Sequence, residues 1–229
     1  MVGSGSLLVQ AQTSSAQETP VTAIDIALEP DATMIHHAEA ANARLLKVFP
    51  EGYSLDATHR PHITMLQRYV HTTDLDKVYA AVGDVLAGEK PAGWTLKAYK
   101  YDFVVWNGSG LAVILIERTD DLIRLQQKLI DAVAPFSVET GTTAAFVTTP
   151  EDPDINQPTM DYVAHYVPAS SGDKLEPHVT IGVAPPDYLK KMVAEPFDAF
   201  TFSPVAMSIY QLGNFGTARK ELKVLELKP

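Results

Sequence analysis

Pro61-His62-Ile63-Thr64-Met65 and Pro177-His178-Val179-Thr180-Ile181 are two copies of one pattern: proline, histidine, apolar, threonine, apolar. The histidines stand 116 positions apart, about half the length of the 229-residue chain. In a β-strand alternate side chains share a face. His62 and Thr64 therefore point one way and Ile63 and Met65 the other, and the second copy repeats the arrangement. The apolar pair pins each strand to a core, while an imidazole and a hydroxyl stand clear of it. Brought together, the two strands would surround one small ligand with two imidazoles and two hydroxyls.

The flanking pattern makes these strands part of an α+β fold. Val21 to Leu28 alternates, with Ile24, Ile26 and Leu28 on one face. Pro30-Asp31 opens a helix to about Val48, and a strand follows from His62 to about Val70. Thr73 and Asp76 have capping-box spacing for a second helix, which Gly88 to Gly93 breaks. Trp94 to Trp106 and Leu111 to Glu117 read as strands joined by the hairpin turn Asn107-Gly108-Ser109-Gly110. Thr119 caps a further helix, Ala144 to Thr148 reads as a short strand, and Pro158 to Tyr166 as a helix. After the second histidine strand come a helix from Pro185-Pro186-Asp187, strands at Phe200–Phe202 and Val205–Leu212, a turn at Gly213-Asn214-Phe215-Gly216, and a last strand to Leu227. Tight hairpins mean antiparallel pairing, which sets this order apart from a doubly wound parallel sheet.

Composition narrows the function classes. There are 18 basic and 28 acidic residues, a net charge of −10, against an extended, sequence-blind nucleic-acid surface. A single phosphate in a local pocket is compatible with that charge. There is no cysteine, so disulfides, thiolate metal sites and cysteine nucleophiles are excluded. No apolar run approaches the length of a membrane-spanning helix. Residues 1–20 read as a disordered tail, and 21–229 as one bilobal domain. Ser6 to Ala11 has the small-residue spacing of a signal-peptide end but lacks a basic start and a long apolar stretch. A cytoplasmic location is the primary reading and export the alternative.

The paired tetrads resemble the two-histidine (2H) phosphoesterase superfamily, near its bacterial 2′-5′ RNA ligase-like branch and the cyclic nucleotide phosphodiesterases. The Leu212-Gly213-Asn214-Phe215-Gly216 segment is also similar. The resemblance implies two pseudo-symmetric lobes of antiparallel sheet flanked by helices around a central cleft. It implies His62 and His178 as the acid–base pair, and Thr64 and Thr180 as hydroxyls that hold a phosphate.

Chemistry agrees with these roles. Phosphodiester cleavage takes a proton from the attacking oxygen and gives one to the leaving oxygen, and an imidazole does either near neutrality. Strand alternation further places Arg68 on the face of His62 and Thr64, and Gly182 on the face of His178 and Thr180. Both are candidate substrate-binding positions, Arg68 for a phosphate oxygen and Gly182 for close approach. The expected partner is a small nucleotide or an RNA end, with no cofactor, no metal and a monomeric chain. A catalytically silent nucleotide-binding module, or a ligase running the reverse reaction, are the competing readings. His59-x-x-His62 has a metal-ligand spacing, but Pro61 breaks the helix that would align it. Tyr101, Trp106, Tyr210 and Phe215 read as hairpin packing rather than base-stacking platforms.

Overall fold

β1 (Val21–Pro30) is buried along almost its whole length, because both of its faces are covered. It lies third in a five-stranded sheet whose order is β5-β2-β1-β8-β9, with β2 Ile63–His71, β5 Ser137–Val138, β8 Pro204–Leu212 and β9 Ala218–Glu226. A second sheet has four strands in the order β6-β4-β3-β7, with β3 Leu96–Trp106, β4 Ser109–Ile116, β6 His178–Ala184 and β7 Phe200–Phe202. All of the pairings are antiparallel. This computed structural model describes residues 19–106, 108–150 and 152–227. The tail and leader readings for residues 1–18 lie outside them.

Among the described residues five helices flank the sheets: α1 Ala32–Val48, α2 Leu75–Glu89, α3 Asp120–Val133, α4 Gln157–Ser170 and α5 Pro186–Val193. None of them is long and apolar enough to cross a membrane. Asp31 caps α1 by accepting from the Thr33 and Met34 amides, and Thr119 caps α3 by accepting from Leu122. In the β3–β4 hairpin Trp106 pairs with Ser109, and Gly108 takes the positive φ of 80° that so short a turn demands.

Two local expectations are corrected. The capping box at Thr73 and Asp76 does not form; a 3-10 turn at Thr72–Asp74 runs straight into α2, which has no side-chain cap. Ala144 to Thr148 is not a strand but begins in a 3-10 turn, Thr143–Ala145. Tertiary packing decides this segment. Ala145 and Phe146 sink into a small core with Tyr69, Val163 and Leu212. The edge position beside β2 goes instead to Ser137–Val138.

The helices exchange sheets. α1 follows β1 of the first sheet but packs on β6 of the second, and α3 follows β4 of the second sheet but packs on β2 of the first. One cluster of buried side chains consequently runs through both sheets, from Ile24, Ile63 and Met65 to Val179, Ile181 and Phe202. This exchange brings the two histidine strands, β2 and β6, into contact.

Candidate active site

Each histidine ring is anchored in the same way. His62 Nδ1 donates to the Arg60 carbonyl at 2.7 Å, and His178 Nδ1 to the Glu176 carbonyl at 2.7 Å. A carbonyl can only accept, so Nδ1 carries the proton and Nε2 is left for other chemistry. The residue before a proline is held extended, which helps explain why Pro61 and Pro177 precede these histidines. The rings lie close enough that charge on His62 disfavours charge on His178.

Both tetrads carry a β-bulge at the same place. In β2, Ala27 pairs with Thr64 and Ile26 with Leu66, so Met65 has no partner. In β6, Val113 pairs with Thr180 and Ala112 with Gly182, so Ile181 has none. A bulge frees backbone groups from the ladder, and here buried amide side chains take them up. Gln126 of α3 donates from Nε2 to the Met65 carbonyl at 3.1 Å, and Asn42 of α1 donates from Nδ2 to the Ile181 carbonyl at 2.9 Å. Each amide also binds the loop that leads into the other tetrad. Asn42 donates to the Tyr53 carbonyl and accepts from the Leu55 amide, and Gln126 donates to the Ser170 carbonyl and accepts from the Gly172 amide. Two side chains thus lock the bulge of one lobe to the approach of the other.

The bulges overturn two of the expected site positions. An extra residue reverses the alternation beyond it. Arg68 pairs with Ile24 and shares the face of Ile24, opposite that of Thr64, whose partner is Ala27. It lines a separate cavity of about 350 Å³ with Val138, Glu139 and His165. Gly182 has also turned away from Thr180. A Cβ there would meet Asn42 Nδ2 at 2.8 Å, so it faces α1, and its φ of +135° suits glycine. His62, Thr64, His178 and Thr180 themselves stand where alternation places them, ahead of each bulge.

The first tetrad has a neighbour that motif reading missed. Asp25 of β1 is fully buried, and its Oδ2 accepts from Thr64 Oγ1 at 2.9 Å and from Gln67 Nε2 at 3.0 Å. His62 Nε2 lies 3.7 Å from the same oxygen. That distance is too long for a direct hydrogen bond but close enough for strong charge attraction. Burial disfavours charge on the His62 ring, yet the Asp25 carboxylate, the Arg60 carbonyl and the Glu29 carboxylate together outweigh it and raise its pKa. At His178 burial prevails; the Glu176 carbonyl opposes it, but the charge on His62 reinforces it, and the pKa falls. Glu29 accepts a hydrogen bond from Tyr210, and the Tyr210 ring stands 6.1 Å from that of His62.

Among the described residues the Thr180 hydroxyl makes no hydrogen bond, whereas that of Thr64 is committed to Asp25. His59 does not join His62 in a metal-ligand arrangement: its Nδ1 lies 3.0 Å from the Thr58 hydroxyl, and its ring stacks on Tyr53. The sequence did carry a trace of Asp25, as a charged residue set in the alternating apolar run from Val21 to Leu28. Asn42 and Gln126 left none, being polar residues on otherwise ordinary amphipathic helices.

The chain is similar in fold to TT0787 of Thermus thermophilus, with a TM-score of 0.51 and 16% identity over 90% of this chain and 98% of that one. Escherichia coli LigT complexed with 3′-AMP aligns with a TM-score of 0.46 and 15% identity, over 91% and 99% of the two chains. Kluyveromyces marxianus Usb1 with uridine monophosphate aligns with a TM-score of 0.43 and 9% identity, over 91% and 99%. No protein-family model and no curated protein matches the chain. The α+β architecture of two antiparallel sheets flanked by helices, expected from the element order and the tight hairpins, is the architecture observed.

Proposed function

We propose that the protein is a phosphodiesterase that needs no metal and opens a cyclic phosphate, as in a 2′,3′-cyclic nucleotide or RNA end, or cleaves a 2′-5′ phosphodiester. The observation that supports this is the duplicated histidine device. Two imidazoles, each held through Nδ1 by the carbonyl two residues before it, keep Nε2 available on adjoining strands. Hydrolysis needs one ring neutral, to take the proton of an attacking water, and one ring charged, to give a proton to the leaving ribose oxygen. Mutual repulsion favours a state in which only one ring is charged. The Thr180 hydroxyl is free to donate to a non-bridging phosphate oxygen without adding a charge. The net charge of −10 fits a small substrate or a chain end better than a long nucleic-acid groove.

The test is a panel of 2′,3′-cyclic mononucleotides, ADP-ribose cyclic phosphate and 2′-5′ dinucleotides, assayed with a chelator present. Conversion of at least one member, abolished in both His62→Ala and His178→Ala, is the expected result. Binding without turnover across the panel, or full activity in either variant, overturns the reading.

A further inference from the structure

We infer that Asp25 is a positioning residue that divides the work of the two histidines. It holds His62 as the imidazolium that protonates the leaving oxygen, and leaves His178 as the neutral imidazole that takes the proton of the attacking oxygen. The inference deepens the phosphodiesterase reading and rests on it.

The argument begins with a buried carboxylate. Asp25 is inaccessible to solvent, and its Oδ1 has no hydrogen-bond partner. A carboxylate in such a place requires a nearby positive charge. The groups around it are His62, Thr64 and Gln67 from the β2 arm, Tyr210 on the paired strand β8, Tyr162 and Tyr166 from α4, and more distantly His178 from β6; the His62 ring also feels the charge of Glu29, further along β1. Burial keeps all three phenols neutral well past the pH range in which imidazoles titrate. No Lys or Arg among the described residues pairs with Asp25, and the nearby Arg60 side chain turns outward to Glu221. The His62 ring is the group that supplies the countercharge.

The 3.7 Å gap suits the role. Asp25 stabilises the charge on His62 without capturing the Nε2 proton in a direct hydrogen bond, so that proton remains transferable to substrate. Asp25 would also repel a phosphate from its own lobe. With the Thr64 proton already committed to Asp25, the phosphoryl oxygens belong on the Thr180 side. The reaction then balances. His178 removes a proton from water as the new P–O bond forms, and His62 gives its Nε2 proton to the ribose oxygen as the old bond breaks. Solvent then restores both rings.

The decisive measurement is an NMR titration of the histidine Cε1 protons, with His62 and His178 assigned through single substitutions. In the native protein His62 should titrate above His178. Asp25→Asn should lower the His62 midpoint by about one unit and move His178 less. On a substrate that is turned over, the alkaline limb of kcat/KM should shift to lower pH in Asp25→Asn, with a roughly tenfold loss at the high-pH end. A native His62 that titrates at or below His178 overturns the inference, as does a folded Asp25→Asn protein with both midpoints unmoved. If the variant does not fold, the native titration order decides. If no phosphodiester is cleaved, the titration still stands alone, so failure of the enzyme reading and failure of this one give different results.

Discussion

The two tetrads share a motif, a ring anchor and a bulge, but their neighbouring strands differ. Beside the first, β1 presents Asp25 opposite Gln67; at the corresponding pair beside the second, β4 presents Leu111 opposite Val183. At this pair one lobe therefore carries a carboxylate and an amide, and the other two hydrocarbon side chains. A duplicated backbone thus delivers two rings in similar orientations, while unlike partners push their proton affinities apart. The same backbone device can support a division of labour when the strand next to it changes.

The largest expected effect tests the likeness of the lobes, and its side effect tests their difference. Replacing either histidine with alanine should cut kcat by about 10²- to 10⁴-fold, the usual scale of one acid or base. His62→Ala should in addition lower the Tm, because it leaves Asp25 buried without a countercharge, whereas His178→Ala should barely move it; calorimetry separates the two. Next come the amides that join the lobes. Asn42→Ala and Gln126→Ala each leave a bulge carbonyl and a loop unsatisfied, and should cost about 1–3 kcal/mol in denaturant unfolding. A smaller change is expected at the hydroxyls. Thr180→Val should raise KM roughly tenfold by removing a donor to phosphate, while Thr64→Val should act mainly on the alkaline limb of the pH profile through Asp25. Arg68→Ala should leave kcat/KM within about twofold, since Arg68 lies on the opposite face of β2. A large loss there would mean that the face assignment beyond the bulge is wrong.

Local pattern revealed most of the elements for identifiable reasons. The period-two run of Ile24, Ile26 and Leu28, the caps at Asp31 and Thr119, and the Asn107-Gly108 turn all act within a few residues of themselves. Strict alternation fails at Arg68 and Gly182 because a bulge precedes each of them. The inserted residue looks ordinary in sequence, as Met65 and Ile181 both do. Asp25 was visible as a charge in an apolar strand, but nothing local says that Thr64, 39 positions away, donates to it.

From the chain alone came the two tetrads, their strands, the antiparallel α+β class and the absence of any cysteine chemistry. These rest on short-range rules of side-chain alternation, capping and residue chemistry. Tertiary structure alone decided that α1 and α3 exchange sheets, that Asn42 and Gln126 close the bulges, and that one imidazole lies beside a buried carboxylate and the other does not. Those outcomes depend on contacts between residues far apart in sequence, and on burial that gives a single charge its weight.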